Sequence, residues 1–201
     1  MNIDTLTELY QKAQALQQEL EAEIDKLLEE KRSQFQYGFQ RGKVYFEESI
    51  RVLQHGQRTP LWQYLKSAQI LTVLTAPIIY AVIIPFVLLD AAVTLYQQVC
   101  FRVYGIPRVR RSDYILIDRH HLAYLNVVEK LNCLYCSYGN GLVEYVREVS
   151  ARTEQYWCPI KHARRSPDPH RFTHQFVDYG DVQAYQQKLE ELRKAWEAHN
   201  P

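Results

Sequence analysis

The sequence predicts an all-α, membrane-anchored protein, and three observations carry that expectation. Apolar residues recur at helical spacing near both ends, a long apolar run occupies the middle, and a cysteine–histidine cluster follows it at ligand spacing. With 201 residues and 47% apolar content, the chain can form one medium domain with appendages or two small ones, and wholesale disorder is excluded. The net charge of +1 hides a strong segregation. Residues 1–30 hold Asp4, Glu8, Glu19, Glu21, Glu23, Asp25, Glu29 and Glu30 against Lys12 and Lys26, whereas residues 31–66 are predominantly basic. An acidic arm and then a basic collar beside an apolar run suit a membrane surface better than a nucleic-acid groove.

Residues 1–58 are expected to form N-terminal amphipathic, coiled-coil-like helices. Leu6, Leu9, Ala13, Leu16, Leu20, Ile24 and Leu27 alternate at steps of three and four, without Gly or Pro. Helical spacing continues through 34–54 with Phe35, Phe39, Phe46, Ile50 and Leu53, weakened by Gly38 and Gly42. The polar opening lacks the apolar core of a secretory signal, and four cysteines are too few for a disulfide-stapled scaffold. The soluble parts are therefore expected in a reducing cytosol.

Residues 59–104 form the expected membrane-embedded segment. Thr59-Pro60 offers a helix start, and Trp62 and Tyr64 suit an interfacial depth. Between Ser67 and Phe101 the only charged side chain is Asp90. Two topologies fit: a single span at about 68–89, or a re-entrant hairpin over 67–101 turning near Pro77 and Pro85. Arg51, Arg58 and Lys66 on one flank nearly balance Arg102, Arg108, Arg110 and Arg111 on the other, so the positive-inside rule does not choose. Asp90 reads either as an interfacial residue or as a paired polar group. The basic collar after the run is expected to meet anionic head groups.

Residues 105–175 read as a metal-clamped helical domain. Asp118 caps a helix to Leu131, a turn covers Cys133 to Gly141, and a second helix over 142–156 leads to Trp157-Cys158-Pro159. Cys133 and Cys136 form a C-x2-C knuckle, and Cys158 and His162 a C-x3-H knuckle, with 21 residues between them. Two antiparallel helices tied at their open ends by Cys133, Cys136, Cys158 and His162 would give a closed tetrahedral Cys3His site, the pattern of structural zinc. An iron–sulfur cluster on the same ligands and thiol exchange through Cys133 and Cys136 are the rival readings. Cys100, in the apolar run, reads as a small core or membrane-facing residue, and His170 and His174 as surface histidines; His120 and His121 with Glu129 suggest a carboxylate metal site, but the second Glu-x-x-His unit it needs is absent.

No nucleophile elbow, phosphate-cradling loop or His-Glu-x-x-His motif is present, so no motif supports an enzyme in the helical part, and that reading stays open. Residues 176–201 form a C-terminal amphipathic helix from Asp181 to about Ala198, with Val182, Tyr185, Leu189, Leu192 and Trp196 on its stripe. It would pair with the N-terminal arm of the same chain, or with another copy.

The runs Asp118-Arg-His-His-Leu-Ala-Tyr-Leu-Asn126, Glu129-Lys-Leu-Asn-Cys133, Tyr138-Gly-Asn-Gly141 and Thr153-Glu-Gln-Tyr-Trp-Cys-Pro-Ile-Lys-His162 resemble an uncharacterised family of bacterial membrane-anchored proteins. The resemblance covers about residues 70–165. It implies a bacterial source and a membrane location, and carries no assigned activity. The expected role is a membrane-anchored, zinc-binding scaffold or assembly protein of the bacterial inner membrane, with its soluble parts cytoplasmic. Its expected partners are membrane lipids and a protein, or a homo-oligomer through the terminal helices; nucleic acid is disfavoured for want of a dense basic face. The alternative is a membrane-bound redox protein.

Overall fold

The computed structural model describes residues 3–40 and 43–196. The chain divides into two compact units, one formed by residues up to 61 with 120–126, the other by 62–119 with 127 onward. Regular structure is overwhelmingly helical, as an all-α chain requires, with one short hairpin as the exception.

In the first unit, α1 (Ile3–Phe35) is a single helix whose Leu9, Leu16, Leu20, Ile24 and Leu27 are all exposed. Intrahelical pairs such as Lys12–Glu8 at 3.0 Å and Arg32–Glu29 at 2.8 Å line its surface. The helix stops at Gln36, whose φ of 50° lies in the left-handed region. The chain then forms β1 (Tyr37–Gln40) and β2 (Lys43–Phe46), antiparallel with Tyr37 opposite Phe46. This hairpin and α2 (Glu48–Gly56) replace the continuous helix expected over 34–54. The reason is a switch of period. Tyr37, Phe39, Val44 and Phe46 alternate onto one face, where the Tyr37 and Phe46 rings stand 5.7 Å apart. Gly38 leaves the other face open for the Tyr45 ring, which a methyl at position 38 would meet at 2.8 Å. Gly42 lies outside the described residues. Residues 120–126 join α2 through the Ala123 amide, which donates to Gln54 Oε1 at 3.2 Å.

The second unit begins with α3 (Leu61–Ser67). Gln69, extended at φ −68° and ψ 134°, separates it from α4 (Ile70–Ala81). The backbone stays helical through Val82 into α5 (Ile83–Tyr96), a π turn at Gln97–Phe101 and α6 (Arg102–Tyr104). Ile70–Tyr104 is thus one rod of 35 residues, long and apolar enough to cross a membrane. Of the two expected topologies, a single span at about 68–89 or a re-entrant hairpin over 67–101, the second requires a reversal near Pro77 and Pro85, and the rod shows none. Pro77 is absorbed inside α4, and Pro85 stands in the first turn of α5, where a missing N–H costs least. Gly105, at φ 68°, ends the rod, and the Ile106 amide returns to the Phe101 carbonyl at 2.9 Å in a Schellman closure.

The largest departure from expectation is α7 (Val127–Trp157). Where the sequence predicts a turn between two antiparallel helices, the chain is one helix of 31 residues, with Cys133, Cys136, Gly139 and Gly141 inside it. The two glycines serve close approach rather than a turn. A methyl at Gly139 would stand 2.8 Å from the Phe86 ring, and one at Gly141 only 2.5 Å from the Tyr114 carbonyl oxygen. Small residues of this kind let a helix accept another backbone at short range.

The rod and α7 run parallel. Tyr135 donates to the Ile79 carbonyl at 2.8 Å, Thr94 meets Tyr145 at 3.3 Å, and Tyr96 meets Thr153 at 3.0 Å, so contacts advance together along both helices. The segment after Gly105 returns alongside them and closes a core of Phe101, Ile106, Val109, Ile115, Leu142, Tyr145 and Val149. Beyond α7, Phe172 and Phe176 join that core, and α8 (Val182–Lys194) docks on α7. Asp181 caps α8 by accepting from the Ala184 amide at 2.9 Å. Trp196 is buried on Phe172, their rings 5.4 Å apart, and Arg193 donates to the Tyr156 carbonyl at 3.0 Å. Within its own unit α8 thus buries Trp196 and half-buries Tyr185, Leu189 and Leu192, while Val182 at its start stays exposed. The expected helix end at Ala198 lies outside the described residues.

Candidate functional site

The four expected metal ligands do not converge. Cys133 and Cys136 share one face in the interior of α7, whereas Cys158 follows its last residue and His162 lies beyond. At 1.5 Å per residue, the helix holds the two knuckles roughly 30 Å apart, so no single ion reaches both. Among the described residues, no group of three or more His, Cys, Asp or Glu side chains is placed to hold a metal. The clamped helical pair is thus corrected to one long helix. The cysteines are free thiols. Cys158 lies at the surface, yet partial desolvation, and then the Glu154 carboxylate, push its thiol above the ordinary value, which favours the neutral form over a thiolate ligand. Cys133 and Cys136 sit about two turns inside α7, away from the helix N-terminus that activates a redox C-x2-C pair.

The histidines are likewise engaged elsewhere. His170 is half-buried, bonded to Glu154 at 2.9 Å and packed edge-on to Phe176 at 5.3 Å. The His120 and His121 rings pack against each other at a 40° tilt, their centres 3.9 Å apart.

A polar clasp between α5, α7 and the returning segment is the most organised cluster of the second unit. Its centre is Asp90, the one charged residue of the apolar run, whose side chain is only 14% exposed. Arg111 holds it bidentately: Nε donates to Oδ1 at 3.0 Å and Nη2 to Oδ2 at 2.6 Å. The Tyr138 hydroxyl donates to Oδ2 at 3.0 Å, and Thr94 Oγ1 to Oδ1 at 3.3 Å. Both carboxylate oxygens are therefore saturated, as a largely buried charge requires. Arg111, expected to face head groups with the rest of the collar, instead neutralises Asp90.

About two turns beyond Asp90, Gln97 is buried and behaves as a surrogate peptide. Its amide oxygen accepts from the Val109 N–H at 3.0 Å, and its nitrogen donates to the Val109 carbonyl at 3.3 Å and to the Tyr145 hydroxyl. The π turn that starts at Gln97 brings Gln97 and Phe101 both to the buried side. A second cluster lies deeper along α7. Glu148 accepts from Arg152 at 2.8 Å and from Arg171, and Arg152 also donates to the Pro107 carbonyl at 2.6 Å. Asp90 signals its need for a cation in the sequence. Gln97, Tyr138 and Tyr145 carry no motif, and only the helical phase they share with Asp90 on the buried sides points to them.

Chemically, the clasp is saturated and presents no nucleophile beside a base. Its evident work is positional: it fixes the phase of α5, so that Asp90, Thr94 and Gln97 face protein. The opposite face of the rod is apolar and uncovered, with Ile84, Val87, Leu88, Leu95, Val99 and Val103 exposed. Along α4 the exposure extends all round, as at Ile70, Leu71, Val73, Leu74 and Ile78, where Ile70 retains 78% of its surface. An exposed apolar surface this long marks a membrane or protein interface. Compared with known proteins, the chain matches no family model, no curated protein and no solved structure.

Proposed function

We propose that the chain is a membrane-anchored helical scaffold, in which the rod fixes location and α1 engages a protein partner. The rod carries this reading: its most apolar 18-residue window is wholly unburied, and water is a poor solvent for such a surface. The bacterial cytoplasmic membrane is the proposed location. Exposure of Leu16, Leu20, Ile24 and Leu27 on α1 supports a docking arm, since an amphipathic helix of this length gains its stability chiefly from a partner. A Cys3His zinc clamp within one chain is no part of the proposal, because α7 keeps its halves apart. Membrane fractionation tests the anchor. The full-length protein is expected to pellet with membranes through washes in high salt and alkaline carbonate, and to be released only by detergent. Recovery in the soluble fraction would overturn it.

A further inference from the structure

We infer that the rod does not cross the bilayer but lies in one leaflet, with α4 and the outer face of α5 toward lipid and both ends on the same side. This inference rests on the membrane-anchor reading and adds its topology.

A transverse helix needs about 20 residues inside a hydrocarbon core roughly 30 Å thick. The rod has that length, but it does not have that length free. From Ile79 onward it is flanked by its own unit, because Tyr135 reaches the Ile79 carbonyl and Tyr80 bonds Asn132. Glu129 and Lys130 lie within one turn of Asn132 on the same helix. Arg111 reaches Asp90, and Asp113 follows it on the surface. A crossing over 70–89 would carry Glu129 and Lys130 to the depth of Tyr80, in the middle of the hydrocarbon, and Arg111 and Asp113 to its edge, where charged side chains are strongly disfavoured. The portion ahead of them, Ile70 to Ile78, spans only about 14 Å at 1.5 Å per residue. α3 does not lengthen it, because Gln69 breaks the helix and Lys66 precedes the break.

A position in the plane of one leaflet resolves the conflict. Beyond Val82 the rod has two unlike sides. Phe86, Asp90, Val93, Thr94, Gln97 and Phe101 face protein, while Ile84, Leu88, Leu95, Val99 and Val103 form an exposed stripe. Lys66 lies ahead of α4, and Arg102, Arg108 and Arg110 are exposed after α5. Cations at both ends are what an anionic leaflet surface meets when neither end is translocated. The near tie in flanking charge, uninformative for a span, is the expected pattern for this arrangement.

The test uses full-length protein in which Cys100, Cys133, Cys136 and Cys158 are replaced by Ala, carrying one new cysteine at a time: Lys66→Cys, Leu88→Cys, Leu95→Cys or Arg108→Cys. In sealed bacterial membrane vesicles, a membrane-impermeant maleimide is expected to label Lys66→Cys and Arg108→Cys from the same side. In liposomes of phosphatidylcholine and phosphatidylglycerol, a fluorophore on Leu88→Cys or Leu95→Cys is expected to be quenched several-fold more by a nitroxide near the head group than by one at the bilayer centre. Labelling of the two flanks from opposite sides would overturn the inference and leave the anchor standing. So would a membrane-bound protein whose Leu88 and Leu95 positions escape both nitroxides, since a protein would then cover the face. Failure to bind membranes at all would instead sink the anchor reading on which the inference rests. Circular dichroism of each variant establishes that the helices persist.

Discussion

α4 and α5 are built from nearly the same alphabet, yet they solve different problems. Through most of α4 the polar residues look after themselves: Thr75 Oγ1 donates to the carbonyls of Leu71 and Thr72, both at 3.1 Å, and Tyr80, in the last turn, is the first to reach α7, at Asn132. In α5 and the π turn the polar residues, Asp90, Thr94 and Gln97, are bonded to α7 and the returning segment. Apolar content alone does not tell the two halves apart. What distinguishes them is whether a polar side chain can be satisfied within its own turn. A hydroxyl can close on the preceding carbonyl, whereas a carboxylate or an amide needs partners from outside, and those partners define a protected side.

The contrast is broken most severely at Gly141. A Gly141→Ala change places a methyl 2.5 Å from a backbone oxygen, so the segment carrying Arg111 must lift off α7. A loss of about 3 kcal/mol is expected, read as a lower midpoint of thermal unfolding in detergent. Next comes Arg111→Met, which leaves Asp90 without its cation. With the arginine side chain 45% exposed, a discounted loss of about 2 kcal/mol is expected. Adding Asp90→Leu should restore most of that stability, and a double-mutant cycle measures the coupling; failure to recover would mean that Arg111 acts mainly through packing. The smallest effect is expected for Thr75→Val, within about 0.5 kcal/mol, because no other element depends on that hydroxyl. A loss as large as that of Arg111→Met would show that α4 has a partner of its own.

Much of this was legible in residue order and much was not, for reasons that differ by region. The apolar run, the amphipathic α1 and the capped start of α8 follow from period and from Asp181, which are local signals. The hairpin was lost because Phe35, Phe39 and Phe46 fit a helical face as readily as Tyr37, Phe39, Val44 and Phe46 fit a strand face; an ambiguity of period is not resolved by composition. The cysteine reading failed on its glycines. Gly139 and Gly141 look like turn residues when only neighbours in sequence are considered, yet they are notches for Phe86 and for the backbone at Tyr114, partners supplied from more than 20 residues away. Once α7 is continuous, C-x2-C and C-x3-H become two unrelated patches, however suggestive their spacing.

The parallel alignment of the rod with α7 has a consequence in time. Partners across the rod and α7 are separated by 48 residues, as for Asp90 and Tyr138, and by 57 for Tyr96 and Thr153. At synthesis rates of about 5–20 residues per second, the rod leaves the ribosome several seconds before the helix that covers its polar side exists. During that interval Asp90 and Gln97 are bare, and the most apolar segment of the chain is available to whatever lipid surface or chaperone stands nearest. On the proposed membrane-anchor reading, the order of synthesis favours a rod that meets lipid first and acquires its protein cover afterwards.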